Sequence, residues 1–323
     1  MHPFEIKGYQ IAFAFFLDLI IGDPKGIPHP VRGIGIVILF FERLLRRCPF
    51  FSERIKGIFL FFGVNAITLG IALIFLSFLS IIKNVSTLLA EGLFLLVISL
   101  FLALKSLIQC GLKVEEHVLR GELELARSEL KALVGRDTDK LDEKGIRRAI
   151  LESYAENLSD GVIAPLFWLS LFGLLGIVFY KTVNTLDSMV GYKNEKYRDF
   201  GWFSARMDDW VNFVPARITA LLIVLASFVY LGMASGLRSF KWILKYAKLH
   251  PSPNAGYPES ALAGALGVRL LGPAYYNGEL IIKPYIGENL LRSLDTTIPL
   301  AKNLLFLSAL FMLVLILLFK GIK

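Results

Sequence analysis

Long apolar runs decide what this chain can become. A helix needs about 20 apolar residues to cross the hydrocarbon of a bilayer, and runs near that length lie at 58–82, 88–109, 161–180, 213–236 and 303–319. A shorter run covers 9–21. The chain is 55% hydrophobic with 26 Phe and a mean hydropathy of +0.61, too apolar for an ordinary soluble domain. These runs predict an all-α, polytopic integral membrane bundle: about five to six membrane-embedded helices, amphipathic helices on the cytoplasmic side, and one domain over residues 1–323. The 9–21 run lacks a sizeable basic flank and a small-residue cleavage site, so it reads as a retained helix and not a signal peptide.

The net charge of +8 sits mostly between the runs. Segments 23–57 and 237–302 carry seven and eight Lys/Arg and 110–160 carries nine, whereas the short link 83–87 has only Lys83. That asymmetry fits basic segments retained in the cytoplasm and does not point to nucleic acid. Cys48 and Cys110 are far apart, with no CxxC and no His cluster, so both are expected as free thiols without a disulfide or zinc site.

Polar inserts alternate with the apolar runs. Residues 112–134 place Val118, Leu119, Leu123, Ala126, Leu130 and Leu133 near helical spacing, predicting an amphipathic helix. After Gly135, Asp139 or Asp142 can cap a second helix through 146–158. On it Ser153, Glu156, Asn157 and Asp160 fall at i, i+3, i+4 and i+7, a polar stripe that is either a solvated face or part of a site.

The densest polar stretch is 181–217, between two apolar runs. Charged groups beside hydrocarbon are costly unless paired, hydrated or used. Asn184 and Asp187 lie at i, i+3 and Asp208 and Asn212 at i, i+4, so two short helices would each present a polar edge, with Gly191 and Gly201 as hinges. Magnesium takes oxygen ligands, often one or two carboxylates plus substrate phosphates. Asp187, Asp208 and Asp209 are therefore the candidate metal ligands, with Lys181, Arg206 and Arg217 placed to balance phosphate charge. A solvated loop is the bland alternative. The sequence contains no GxxxxGK[ST], no GxGxxG after a strand and no GxSxG elbow.

Two further segments are conformationally constrained. Residues 250–278 open with Pro251, Pro253 and Pro258 around Asn254 and Gly256, a turn-rich loop, followed by a small-residue helix over 259–271. Segment 22–35 has a similar texture, and His29 and His250 each precede a proline. Such lone histidines are more often scaffold than ligands.

Five blocks carry a family resemblance: GDP with HPVR within 22–32, ESYAENLSDGVIAPLFW at 152–168, NTLDSMVGYKNEKYRDFG at 184–201, SARMDDWVNFVPAR at 204–217 and HPSPNAGYPESALAGALGVRL at 250–270. The chain resembles the CbiB/CobD family, the adenosylcobinamide-phosphate synthases of cobalamin biosynthesis. The resemblance extends over nearly the whole chain. It implies a multi-pass protein of the inner, cytoplasmic membrane. Its implied reaction joins adenosylcobyric acid to aminopropanol or aminopropanol phosphate, with Mg²⁺ and with ATP as co-substrate, beside other membrane enzymes of nucleotide loop assembly.

ATP-driven amide formation would pass through an acyl phosphate that the amine attacks. Glu156 or Asp160 is the expected base, and Lys181, Arg206 and Arg217 complete the catalytic set. The expected substrate-binding residues are Asp23, His29, Arg32, Ser153, Asn157, Asn184, His250, Ser252 and Asn254. Tyr257, Tyr275 and Tyr276 offer flat faces to a corrin, although the 250–278 segment could instead simply cap the bundle. If all six apolar runs crossed the membrane, 181–212 would face away from 110–160 and 237–302. Re-entry of 161–180 and 213–236, bending at Pro165, Gly173, Gly176 or Pro215, would remove that conflict. A structural role for 181–212 is the alternative. A membrane Mg-dependent phospho-alcohol transferase and a non-enzymatic signalling or transport component are the competing classes.

Overall fold

A computed structural model describes residues 6–23, 29–276, 278–288 and 294–321. Residues 24–28 of the 22–35 loop and residue 277 of the 250–278 segment lie outside the described residues. The helices are α1 (Gly8–Ile21), α2 (Pro30–Arg46), α3 (Glu53–Val85), α4 (Thr87–Ser99), α5 (Leu104–Leu119), α6 (Leu123–Leu130) and α7 (Glu143–Leu158). They continue with α8 (Ala164–Val190), α9 (Trp202–Val211), α10 (Phe213–Leu231), α11 (Met233–Tyr246), α12 (Gly256–Leu266) and α13 (Thr297–Lys320). Among the described residues strands are confined to two short antiparallel ladders, β1 (Leu270–Leu271) with β4 (Tyr285–Ile286) and β2 (Ala274–Tyr276) with β3 (Glu279–Ile281).

Among the described residues four helical segments are long and apolar enough to cross a membrane, or five if α4 and α5, bent by 42°, form one span. The chain is a multi-pass helical membrane protein. The run at 88–109 is therefore broken after Ser99, and the 9–21 run forms a 14-residue helix, short for a full crossing.

The chain folds into two compact units, each built from separated segments: 1–103, 164–212 and 315–323 in the first, 104–163 and 213–314 in the second. In the first unit, α3 packs against α2, α4, α8 and α9. Two threonines within these helices are satisfied locally: Thr182 Oγ1 and Thr68 Oγ1 lie 3.1 Å apart, while Thr68 donates to Val64 O at 3.0 Å. In hydrocarbon an unmet donor would cost several kcal/mol.

In the second unit, α7 is the buried centre. Asp142 caps it by accepting from Gly145 N at 2.7 Å, one of the two caps expected from the sequence. Arg147 pairs with Glu115 through Nε at 2.9 and 3.0 Å and reaches Asp295 at 2.9 Å, and Tyr154 donates to Ile108 O at 2.9 Å. The amphipathic segment 112–134 is two helices, α5 and α6, because Gly121 adopts φ +74° between them. Segment α12 is made of small residues, so Gly264 can lie against the α11 backbone, where a Cβ would meet Ser239 Cα at 2.6 Å.

Two apolar runs do not continue straight. At Gly173, φ 61° and ψ −147° interrupt α8. Residues eight apart in an unbroken helix are about 12 Å apart along the axis, yet a Cβ on Gly176 would stand 2.3 Å from Trp168 O, and the rings of Trp168 and Phe179 are 6.0 Å apart. The segment turns back on itself. At Gly232, φ 88° separates α10 from α11, which pack together, and a Cβ on Gly236 would strike the Phe228 ring at 2.3 Å. The bend at Gly173 matches one of the expected sites; that at Gly232 was not among them. A second difference concerns 181–190, which continues α8 instead of forming a separate short helix, because Thr182, Val183, Thr185 and Leu186 remain buried.

Candidate functional site

The second unit contains a polar cavity of about 230 Å³. Four separated segments build it: 133–136, the middle of α7, the 250–259 turn with the start of α12, and the 271–283 ladder region. Arg136 pairs with Glu152, whose other oxygen accepts from Leu271 N at 2.6 Å. Leu271 has φ 60°, a left-handed backbone costly for a branched side chain, and this bond helps to hold it there. Ser153 donates to Leu133 O at 3.1 Å and so ties the 133–136 wall to α7.

Opposite α7, the proline-rich turn fixes His250. Its Nδ1 lies 2.9 Å from Ser252 N and 3.2 Å from Ser252 O, so Ser252 can serve the ring either as donor or as acceptor. His250 Nε2 is 3.4 Å from Glu259 Oε1, and Glu259 is 3% exposed. Burial raises the Glu259 carboxyl, reinforced by the carboxylates of Glu152 and Glu156 and opposed by His250. Burial works against the His250 imidazolium, but the bond and charge of Glu259, the backbone of Ser252 and the charge of Glu156 together outweigh it and the net direction is upward. Glu156, in contrast, exposes its carboxylate to the cavity. Lys283 Nζ donates to Tyr276 Oη at 2.5 Å.

His250 also borders a second cleft of about 340 Å³, lined by Arg217, Lys248, Ser252 and Tyr257. Arg217 lies between the rings of Phe213 and Tyr257, 3.5 and 4.1 Å from their centroids, and donates to Asn254 Oδ1 at 3.2 Å. This cleft carries cations, whereas the cavity mixes both signs.

The expected residues of the second unit therefore divide. Ser153, Glu156 and His250 line the cavity, and Arg217, His250 and Ser252 line the cleft. Asn157 turns back to Ser153 at 3.0 Å, and Asp160 lies in a π-helical turn, Ser159–Ile163, outside the cavity lining. Tyr257, Tyr275 and Tyr276 go to three places, against Arg217, against Lys140 and into the cavity, so they do not form one face. Arg136, Glu152, Glu259 and Lys283 are cavity residues that sequence reasoning left out. A charged residue opening a helix of otherwise small residues was the available signal for Glu259.

The first unit holds the other expected residues. Asp208 accepts from Asn184 at 3.4 Å and from Asn212 at 3.0 Å, and Tyr180 donates to Asn212 at 2.9 Å, tying α8 to α9. Asp187 is one turn beyond Asn184, its Oδ1 close to Gly191, where a Cβ would come within 1.9 Å. Burial raises the Asp209 carboxyl against the lowering pull of Arg206 and Lys193. Lys181 is half-buried and Arg206 exposed. Asp23 lies 3.3 Å from His29, whose Nδ1 accepts from Val31 N to cap α2, with Arg32 exposed in the first turn. Among the described residues no three His, Cys, Asp or Glu side chains converge as a metal cage. Carboxylate and amide oxygens without a soft ligand nevertheless fit magnesium carried on phosphates. Cys48 and Cys110 are not joined in a disulfide.

The family pattern described as "CobD/Cbib protein" matches residues 11–304. The chain belongs to the CobD/CbiB family. It is 46% identical over 288 residues to the cobalamin biosynthesis protein CobD of Pelobacter propionicus, covering 88% of this chain and 86% of that one. Identity is 43% over 279 residues to CobD of Clostridium perfringens, with 86% and 87% covered, and 43% over 279 residues to the cobalamin biosynthesis protein CbiB of Salmonella typhi, with 85% of each. No solved structure matches. Membership of the CobD/CbiB family places the chain in cobalamin biosynthesis, with a corrinoid as substrate.

Proposed function

We propose that the chain is an ATP-dependent amide ligase of the cytoplasmic membrane, joining the carboxylate of adenosylcobyric acid to an aminopropanol donor. The observation that carries this reading is the accessible Glu156 carboxylate in a small polar cavity. A carboxylate is a poor acyl donor, so ATP first converts it to an acyl phosphate, releasing ADP. The donor arrives as an ammonium. Glu156 binds it, takes one proton, and the freed nitrogen attacks the acyl carbon; the C–N bond forms, the C–O bond to phosphate breaks, and the leaving phosphate takes the second proton. Arg217 and Lys248 in the neighbouring cleft suit anionic groups.

Asp187, Asp208 and Asp209, with Asn184, are the residues that would hold Mg²⁺, and Lys181 and Arg206 add cationic charge near them. Bound there, the ion would neutralise nucleotide phosphate charge. Purified protein given Mg-ATP, adenosylcobyric acid and either donor should form one corrinoid amide per ATP cleaved. Amide formed without ATP cleavage would favour a transferase, and no amide with either donor would overturn the ligase.

The turn at Gly173 supports re-entry of 161–180, so that 181–212 returns to the side from which α8 entered. In a Cys48→Ser, Cys110→Ser background, Asn194→Cys should react with an impermeant thiol reagent from the cytoplasmic side. Labelling only from outside would defeat this topology.

A further inference from the structure

The first unit contains an apolar cavity of about 310 Å³ between α2, α3 and α8. It exists because helices stop around it: α2 begins at Pro30, Phe101 lies just past the end of α4, and Leu174 follows the turn at Gly173. Among the described residues Thr68 supplies the only polar side chain of the lining, and its hydroxyl is already bonded to Val64 O and Thr182 Oγ1. A buried water needs about 2–4 polar partners, so this space suits hydrocarbon instead. From Gly57 to Ile82 α3 carries no charged side chain, and Thr68 to Phe75 lie in the middle of that stretch, about 10 Å or more from either end. The cavity therefore lies at the depth of acyl chains and not of headgroups.

Its floor is closed and its mouth is open. Ile34, Ala72, Phe101, Leu174 and Val178 are buried, whereas Gly33 and Ile71 are exposed, and a Cβ on Gly33 would meet nothing within 4 Å. From the mouth a stripe runs down α2: Gly33, Phe40, Leu44 and Arg47 fall at i, i+7, i+11 and i+14, one face of a helix, with Phe40 and Leu44 exposed. Arg32 lies about 100° round the helix from it. On α3, Ile67, Ile71, Ile74 and Phe78 form a second exposed stripe at i, i+4, i+7 and i+11. Arg47 is exposed, and among the described residues it makes no ion pair. Gly33 and Arg47 are separated by about 21 Å along the helix. That equals the about 20–22 Å from the middle of a bilayer to the outer edge of its headgroups.

We propose that the α2–α3 groove binds one anionic phospholipid, with an acyl tail ending in the cavity and the phosphate at Arg47. The apolar cavity takes the chain, the exposed stripe guides it, and the guanidinium supplies donors and charge to the phosphate. The rival is a groove that merely borders the bulk membrane and selects no lipid.

Two probe lipids separate these readings. Delipidated protein in detergent, titrated with dioleoylphosphatidylglycerol or dioleoylphosphatidylcholine and read by native mass spectrometry, should form one saturable adduct. The anionic lipid should bind about 5-fold more tightly, the effect of one basic side chain at a membrane surface. Arg47→Gln should bring the two lipids to equal binding. Gly33→Phe, which plugs the mouth, should lose the saturable adduct with both. Equal binding of the two lipids to wild type, adducts that never saturate, or an adduct unchanged in both variants would overturn the site. Wild type alone carries the remaining test, so the outcome does not hang on whether Gly33→Phe folds. Phosphatidylglycerol with a diazirine at its tail end should, on illumination, label residues within 33–37 or 68–75. Label confined to other segments would overturn the proposal, and so would a stable dimer without bound lipid, which would give the groove to a second copy of the chain.

Discussion

The polar strip of the first unit and the cavity of the second contain similar residue types, but they use them differently. In the strip, Asp208 stands between the amides of Asn184 and Asn212, and Asn212 is held by Tyr180. These bonds join helices. In the cavity, two ion pairs stabilise the walls and leave Glu156 and Lys283 facing the space between them. The lesson is that polar density marks expensive sequence, whereas chemistry needs polar groups still available to a ligand after the walls are satisfied. On that ground we favour the cavity as the proposed reaction chamber and keep the strip as the proposed surface for magnesium and phosphate.

The sharpest attack on this contrast is Glu156→Gln. Removing a positioned base costs about 100- to 10,000-fold in rate, so amide formation from aminopropanol or its phosphate should fall by that order. Hydroxylamine presents an already unprotonated nitrogen at neutral pH, so the same variant should still form the corrinoid hydroxamate in the presence of ATP. Equal loss of amide and hydroxamate would make Glu156 a structural residue and remove the cavity's claim. Unchanged turnover would do so as well.

A smaller effect is expected in the strip. Asp208→Asn keeps the shape but removes the charge, and loss of a group in or around a metal site costs about 10- to 100-fold in metal affinity. KM for Mg-ATP should rise by that order, with KM for the donor unchanged. A lower melting temperature with normal KM for Mg-ATP would instead make the strip purely a helix tie and widen the contrast with the cavity.

The difference between the regions also explains what could be read from the sequence. The apolar runs, the Asp142 cap and the break at Gly173 are local features, set by hydropathy, one side chain or one glycine. Ser153 and Glu156 appeared because helical spacing alone places them near each other. Arg136, Glu259 and Lys283 did not, since only the folded chain brings 133–136, 152–156, 250–259 and 271–283 around one space. The helical reading of 181–190 holds, but that this segment continues α8 was not visible among its polar residues; the buried Thr182, Val183 and Leu186 carry the helix on.

The gentlest test uses the closed pair that the cavity needs and the strip lacks. Glu259 and His250 both hold their protons more tightly in the fold than free carboxyl and imidazole groups do: burial raises Glu259, and for His250 the opposing effect of burial is overcome by Glu259, the Ser252 backbone and the Glu156 charge together. At this pair the folded state therefore binds more protons than the unfolded one, and the pair's contribution to stability falls as pH rises. The decline begins above the ordinary carboxyl value of 4.5 and continues past the ordinary imidazole value of 6.5. Each kcal/mol should appear as a shift of about 2–4 °C in Tm, as for domains of 150–250 residues. His250→Gln combined with Glu259→Gln should flatten this slope, and Asp208→Asn should leave it as it is. A slope that survives in the double variant would locate the proton uptake elsewhere, and the pair would no longer distinguish the cavity from the strip.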